Sequence, residues 1–417
     1  MENGMGAWLK TAIKAVTTPG LRDDLKRAAF YIYASKRKCK RPSVTERPFG
    51  INLIGPIRGD FGLGESCRLV ADAIKSAGIP LSIYNISMNG SAVESDLTWK
   101  DYESNQLPYA FNLIHINPNV LTQSLWKLRK QNIQQYYNIA YWLWEIPEFP
   151  KEWMYAFKIF DEIWTPTVFI ADALKKCTHK PVCTMRYALR TPHVSQRYDR
   201  AYFGLPEKPF LFMLSYDGNS VSERKNPWGA IRAYRNAFMQ NETGVGLVIK
   251  ATHASTHEIQ SLTSYLSGYR NIVLLQESYT KEEFNSLLAC VNTYVSLHRA
   301  EGFGLVMAEA MLLGVPTIAT NWSANTEFMN PEVACMIPAS VIALGQDIPP
   351  YKAGNHWADP DETVASEYMR RLYEDRVYGC QLAQKACSYI KTQFAPEHAG
   401  NDIWQRLNKV LEDGKTK

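Results

Sequence analysis

The chain has 417 residues, too many for one ordinary hydrophobic core, and this length predicts two or three domains. Hydrophobic residues make up 46% of the chain and charged residues 21%, a composition that excludes disordered and fibrous proteins. The net charge of +5 is modest and concentrated near the N-terminus, which argues against nucleic-acid binding by the remainder.

Residues 1–48 are predicted to form a basic N-terminal arm. Apolar residues between Ala7 and Tyr33 recur with loose helical spacing beside many lysines and arginines. Two interpretations stay open: a helix lying on an anionic membrane surface, or a helix packed on the next domain beside a solvated basic run. Because we find no secretory or membrane-spanning segment and no metal-binding cysteine pair, we expect a cytoplasmic protein with reduced thiols, either free or held at the inner face of the membrane.

From Gly50 onward, short apolar runs alternate with helical stretches. The alternation pauses at the Pro- and Gly-rich segment Phe203–Pro209, which is typical of a linker. Helices are predicted at Leu63–Ala77, around Leu121–Lys130 and around Lys151–Phe160. Strands are predicted at Ile51–Gly55, Leu81–Ile86, Phe111–Ile116 and Ile139–Trp144, and after the linker at Phe210–Ser215, Val245–Lys250, Asn271–Leu275, Thr293–Leu297 and Pro316–Thr320.

Such alternation predicts parallel strands joined by crossover helices, and hence an α/β fold. The two halves indicate two doubly wound, Rossmann-like domains that face a cleft, with ligands at the carboxyl ends of the strands. We place the domains at 49–205 and 206–393, followed by a C-terminal helical segment at 394–417.

The most informative segment is Ser296–Gly314, where a strand enters a glycine-flanked turn and a helix begins near Gly304. The free N–H groups of such a helix start suit a diphosphate, and glycines allow its close approach. Glu301 and Glu309 would lie about 12 Å apart if the stretch were helical throughout. That separation exceeds that of a glycosidase carboxylate pair but suits the two ends of an elongated ligand.

This segment resembles the Glu-x7-Glu signature of retaining glycosyltransferases of family 4, which have the GT-B fold. The resemblance implies that Glu301 contacts the hydroxyls of the donor sugar and that Glu309 holds the ribose. It also implies that the backbone of Gly302, Phe303 and Gly304 faces the sugar and phosphate. A bare Glu-x7-Glu is common by chance and also fits a helix with two solvent-facing acids. Here the preceding strand, the Gly-Phe-Gly turn and the following Gly-Val-Pro make the match specific.

The resemblance extends over about residues 50–410. It also implies that the last helix, in the segment 394–417, crosses back onto the first domain and ties the two domains together. The segment Ser222–Tyr234 is similar to the place where the family keeps basic residues for the donor diphosphate, which implicates Arg224 and Lys225. These two residues are adjacent here, whereas the family usually separates them by about a turn, and Ser220 stands where the arginine is expected. Lys225 therefore fits the pattern better than Arg224. Lys250 is a further candidate contact, with a structural role as the alternative.

In the first half, Gly59–Glu65 resembles the family's glycine loop, which implicates Gly62 and Gly64 in donor binding; a simple tight turn is the alternative. His115 follows a strand, and the family often has a histidine there beside the reacting sugar, so His115 is a catalytic candidate or a structural histidine. Trp144 and Glu145 also follow a strand and suit an acceptor sugar, although core packing explains the neighbouring Trp142 equally well.

Asp359-Pro-Asp361 superficially matches the metal-binding Asp-x-Asp of the other glycosyltransferase fold. It stands directly before the predicted helix Glu362–Tyr373, and an aspartate that caps this helix is the simpler interpretation. We therefore predict neither a metal nor another cofactor. The sequence His356–Asp361 also resembles bacterial mannosyltransferase-like members of the family.

The resemblance implies a retaining transfer of a hexose from a nucleoside-diphosphate sugar to a saccharide or glycoconjugate acceptor, as in surface polysaccharide synthesis. The alternatives are a sugar-nucleotide epimerase or phosphorylase of the same fold, and a sugar-binding scaffold without activity. The intact glutamate pair and Lys225 argue against the scaffold. The sequence does not identify the donor base, the sugars or the linkage.

Overall fold

The first half of the chain forms a six-stranded parallel sheet. We describe a computed structural model, which covers residues 44–88, 94–128 and 131–415, so the predicted basic arm lies outside the described residues up to residue 43. The strands are β1 (Ile51–Gly55), β2 (Leu81–Asn85), β3 (Phe111–Ile114), β4 (Tyr137–Tyr141), β5 (Glu162–Thr165) and β6 (Val182–Thr184). Their order is β2-β1-β3-β4-β5-β6, and every neighbouring pair is parallel. The helices of this half are α1 (Gly62–Ser76), α2 (Pro118–Lys127) and α3 (Val168–Lys175).

Helix α1 follows β1 and covers one face of the sheet. Cys67, Val70, Ala71 and Ile74 recur at helical spacing and are buried, which gives α1 its apolar face. The helix ends before Gly78, whose φ of +64° closes the last turn at no steric cost. The predicted helix at Lys151–Phe160 is a 3-10 helix, Lys151–Ile159.

The second half repeats the pattern after the linker. Its strands are β7 (Phe210–Asp217), β8 (Val245–Thr252), β9 (Ile272–Leu275), β10 (Thr293–Ser296), β11 (Thr317–Thr320) and β12 (Cys335–Ile337). The parallel order is β12-β11-β10-β7-β8-β9. The helices are α4 (Ser222–Lys225), α5 (Pro227–Ala237), α6 (Thr256–Tyr265), α7 (Lys281–Cys290) and α8 (Leu305–Leu312). The prediction of two doubly wound domains is therefore confirmed.

A two-stranded antiparallel hairpin, β13 (Ala339–Ala343) with β14 (His356–Pro360), follows β12 and was not predicted. Three helices complete the chain: α9 (Glu362–Glu374), α10 (Arg376–Gln393) and α11 (Pro396–Lys415). Helix α11 packs against α1 of the first domain, where the Ser76 hydroxyl donates to the Pro396 carbonyl at 2.6 Å. In the described part of the chain, no helix has the length and apolar character needed to cross a membrane.

Candidate active site

The candidate residues lie at the topological switch points of the two sheets. In the first sheet the strand order reverses between β1 and β3, and in the second between β7 and β10. Loops after such strands form the crevice in which doubly wound folds bind ligands. The glycine loop follows β1 and His115 follows β3, while Arg224 and Lys225 follow β7 and Glu301 follows β10.

Glu301 is a buried carboxylate held between two cations. The Lys225 ammonium donates to its Oε1, and the Arg224 Nη1 lies 3.4 Å from its Oε2. Arg224 also donates to the Ala300 carbonyl at 2.8 Å and to the Ser220 hydroxyl at 3.0 Å. The adjacent cations of the sequence thus converge on one carboxylate, and the guanidinium of Arg224 reaches back to Ser220.

The charge state of Glu301 follows from these contacts. Burial alone would raise the pKa of this carboxyl, but Lys225 and Arg224 outweigh burial and lower the pKa to about 2. Glu301 is therefore an anion throughout the physiological pH range, able to accept hydrogen bonds but not to donate them.

The backbone of Glu301 is fixed by a residue that the sequence analysis did not identify. Its N–H donates to the Ser323 hydroxyl at 2.9 Å, and its carbonyl accepts from the Ala324 N–H at 3.3 Å. Ser323 has a φ of +72°, which costs a non-glycine residue conformational energy and is typical of functional sites. No motif in the sequence indicates this serine.

Glu309 lies in α8 and is also buried, with 6% of the residue exposed. Its Oε1 accepts from the ammonium of Lys281 at the start of α7, whereas its Oε2 is buried and has no hydrogen-bond partner among the described residues. Lys281 also lies 3.7 Å from the Oε1 of Glu65 in the first domain. Lys281 and Glu65 were not candidates from the sequence.

The segment between the two glutamates is packed closely against the first domain. A side chain at Gly302 would place its Cβ 2.8 Å from the Trp144 carbonyl oxygen, so only glycine fits. The Phe303 ring is buried between Tyr187 and Phe328, and only its backbone is available to a ligand. Gly304 has a φ of +96° and precedes α8 as its N-cap, as the turn requires.

The glycine loop of the first domain is held by Arg68, whose guanidinium donates to the carbonyls of Ile57 and Gly59 at 3.0 and 2.9 Å. Gly64 is needed for this fold because its Cβ would lie 2.1 Å from the Gly59 oxygen. At Gly62, the first residue of α1, a Cβ would meet no atom of the described residues within 4 Å. Steric contacts with the described residues therefore require a glycine at position 64 but not at position 62.

His115 is fully buried. Its Nε2 shares a hydrogen bond of 2.7 Å with the Ser66 hydroxyl, and its ring stacks on Tyr141. Burial lowers the pKa of His115 to about 3, so the imidazole is neutral. This geometry favours the structural alternative over the catalytic one, although the role itself stays a prediction.

The predicted acceptor residues lie where the hairpin meets the first domain. Trp144 is only 2% exposed and packs against Trp153 and Tyr351, so its ring is part of the core, and its contact with an acceptor sugar stays a prediction. The Glu145 carboxylate accepts from the Tyr351 hydroxyl at 3.1 Å, next to the Arg224 and Lys225 cluster.

The Asp-x-Asp look-alike has ordinary partners. Asp361 caps α9 by accepting from the N–H groups of Thr363 and Val364, as the sequence predicts. Asp359 pairs with Arg299 at 2.9 Å. Within the described ranges, no group of three or more histidine, cysteine or acidic side chains is arranged to hold a metal ion.

The segment that carries most of the candidate residues of the second domain matches a known protein family. Residues 217–348, which include Arg224, Lys225, Glu301 and Glu309, match the model of the family described as Glycosyl transferases group 1. No curated protein matches the chain in sequence. The structure resembles Anabaena Alr3699/HepE, crystallised with UDP and glucose, at a TM-score of 0.61 and 13% identity over 87% of this chain and 100% of that one. The fold is GT-B.

A second GT-B structure supports the same conclusion. Sucrose-phosphate synthase from Thermosynechococcus elongatus has a TM-score of 0.61 and 13% identity, again over 87% of this chain and 100% of that one. TarM of S. aureus, crystallised with UDP, matches over 72% of this chain and 55% of its own at 14% identity and a TM-score of 0.51. At such identities the likeness establishes the GT-B architecture, and the chemistry has to be argued from the residues of this chain.

Proposed function

We propose that this protein is a metal-independent, retaining glycosyltransferase that moves a hexose from a nucleoside-diphosphate sugar to a saccharide or glycoconjugate acceptor. One observation carries the proposal. Two buried carboxylates, Glu301 and Glu309, flank a glycine turn at the switch point of the second domain, and each is paired with a cation. This arrangement lies within the segment that matches the family model.

Each end of the arrangement suits one part of the donor. The ionised Glu301 accepts hydrogen bonds from sugar hydroxyls, and the unpartnered Oε2 of Glu309 accepts one from the ribose. Lys225 and Arg224 supply positive charge for the diphosphate between them. Their ion pairs with Glu301 hold both cations in place before the donor binds, and such electrostatic preorganisation stabilises the charge that develops on the diphosphate.

The proposed transfer balances without a further reactant. The bond between the anomeric carbon and the diphosphate oxygen breaks, and the bond to the acceptor oxygen forms on the same face of the sugar. The acceptor proton passes to the leaving phosphate, whose growing negative charge is stabilised by Lys225 and Arg224. Glu301 holds the sugar and does not act as a nucleophile.

Donor turnover tests the proposal directly. The purified protein would be incubated with UDP-, GDP-, ADP- and TDP-sugars and candidate saccharide acceptors, with and without a chelator, and the released nucleoside diphosphate measured. The UDP-sugars come first because HepE and TarM were crystallised with UDP. We expect release from one donor that is insensitive to chelator, gives a product of retained anomeric configuration, and falls about 100-fold or more in Glu301→Gln.

Different outcomes would contradict different parts of the proposal. Turnover that the chelator abolishes removes metal independence. Unchanged turnover in Glu301→Gln removes this residue from the site. A protein that binds no nucleoside diphosphate at all is a scaffold rather than a transferase.

A further inference from the structure

Lys281 joins three parts of the molecule that the sequence keeps far apart. It begins α7 of the second domain, pairs with Glu309 in α8 and lies 3.7 Å from Glu65 in α1 of the first domain. Glu65 is held in turn by Arg68 at 2.7 Å. The same Arg68 fixes the glycine loop through the carbonyls of Ile57 and Gly59.

We infer that Lys281 is a positioning residue for the donor ribose, which holds the Glu309 carboxylate in its ionised form while tying it to Glu65 of the opposite domain. The inference rests on the proposed function, since it takes the ribose to be the partner of Glu309. Its own evidence is the geometry: one oxygen of Glu309 is occupied by Lys281, and the other is buried with no partner in the part of the chain that the structure describes. A buried acceptor left without a donor is costly unless a ligand supplies one.

The charges around Glu309 set its protonation. Burial raises the pKa of this carboxyl, Lys281 lowers it and Glu65 raises it, and the net direction is upward. Among the described residues, four other groups face this cluster. Arg68 interacts with Lys281, the Tyr294 phenol in β10 interacts with Glu309, and Asp72 and Tyr187 interact with Glu65. Lys281 is thus the nearest cation that opposes protonation of Glu309.

Substitutions of Lys281 and of Glu65, the two charged neighbours of Glu309, should displace the pH dependence of nucleotide binding in opposite directions. Protonation of Glu309 would place the proton on the free Oε2, the oxygen that accepts from the ribose, so nucleotide binding weakens as the pH falls through the raised pKa. Replacing Lys281 by Met raises that pKa further, and the loss of binding moves to higher pH. Replacing Glu65 by Gln removes a neighbouring negative charge, and the loss of binding moves to lower pH.

The experiment is a calorimetric titration of UDP, GDP, ADP and TDP into the full chain between about pH 5.5 and 8.5. The variants are Lys281→Met, Lys281→Arg and Glu65→Gln. The control is Lys175→Met, because Lys175 is an exposed lysine that pairs with Asp172 of its own helix. The pH profile of the binding constant of each variant is compared with that of wild type. The terminal phosphate of the nucleotide titrates equally in all of these experiments, so its effect cancels in the comparison. Thermal unfolding of each variant checks that it folds.

We expect Lys281→Met to bind about tenfold more weakly than wild type at the acid end, which corresponds to a displacement of about one pH unit. Lys281→Arg and Lys175→Met should follow wild type, and Glu65→Gln should be displaced the opposite way. A Lys281→Met profile that superimposes on wild type, or two displacements in the same direction, overturns the inference while the proposed function stands. If Lys281→Met does not fold, Glu65→Gln alone decides through the direction of its displacement. If wild type binds none of the four nucleotides, the proposed function and the inference both fall.

Discussion

At the scale of single residues, burial alone does not determine the charge state of a titratable side chain. Glu301 and His115 were both candidates from the sequence, and both are buried. Glu301 is surrounded by Lys225 and Arg224 and stays charged, whereas His115 contacts a hydroxyl and an aromatic ring and stays neutral. The difference comes from neighbours distant in sequence, which a motif does not specify.

The cations around Glu301 make its contribution to stability dependent on pH. Because the pKa in the folded protein is about 2, below its ordinary value, the contribution is complete above about pH 5 and disappears as the pH falls toward 2. A lowering of the Glu301 pKa by this amount corresponds to a contribution of roughly 3 kcal/mol to the free energy of unfolding. We expect the difference in unfolding free energy between wild type and Glu301→Gln to be constant from about pH 6 to 8 and to shrink below about pH 4.5. Urea denaturation at a series of pH values measures it, and a difference that does not change down to about pH 3.5 would contradict the assignment.

At the scale of elements, the sequence predicts the central strands well and the peripheral ones poorly. Strands such as β1 and β7 are continuous apolar runs buried on both faces, and their predicted positions are confirmed to within a few residues. The three-residue strands β6 and β12 are too short to show a period, and the half-exposed hairpin β13–β14 lacks a buried apolar run. The glycine segments were recognised, but which glycine is sterically required depends on contacts across the turn.

The glycine loop offers a matched pair of substitutions that isolates such a contact. Gly64→Ala places a methyl group against the Gly59 carbonyl, whereas Gly62→Ala places one in open space at the first turn of the same helix. We expect Gly64→Ala to lower the unfolding free energy by about 1–3 kcal/mol and Gly62→Ala to leave it unchanged or slightly raised. Turnover should fall in both variants if the donor approaches Gly62 closely. Equal stability of the two variants would show that the loop yields without strain.

At the scale of the whole molecule, the arrangement of the two domains depends on contacts that cross long stretches of chain. Glu327 of the second domain accepts from the N–H groups of Val168 and Phe169 at the start of α3. The hairpin reaches the first domain through His356, whose Nδ1 lies 2.7 Å from a Glu148 oxygen. Periodicity and motifs describe each domain separately, and for this reason none of these contacts, nor the Lys281 bridge, was predicted.

The C-terminal helix makes an ion pair whose carboxylate is fully buried. Arg406 of α11 donates to the carboxylate of Glu162, which lies in β5 and is fully buried. Arg406→Ala would leave that carboxylate with only the Trp164 indole at 2.8 Å and the Tyr137 hydroxyl at 3.5 Å. A buried charge that loses its partner costs about 3–5 kcal/mol.

The same helix supplies the control. Arg186 pairs with Asp402 of α11 at 3.0 Å, but both side chains are about one-third exposed, and such pairs contribute about 0–1 kcal/mol. Thermal and urea unfolding should therefore show a large loss for Arg406→Ala and a small one for Arg186→Ala, with the loss partly restored when Glu162→Gln is added to Arg406→Ala. Equal losses in the two single variants would mean that the packing of α11 on α1, rather than the buried charge pair, holds the helix on the first domain.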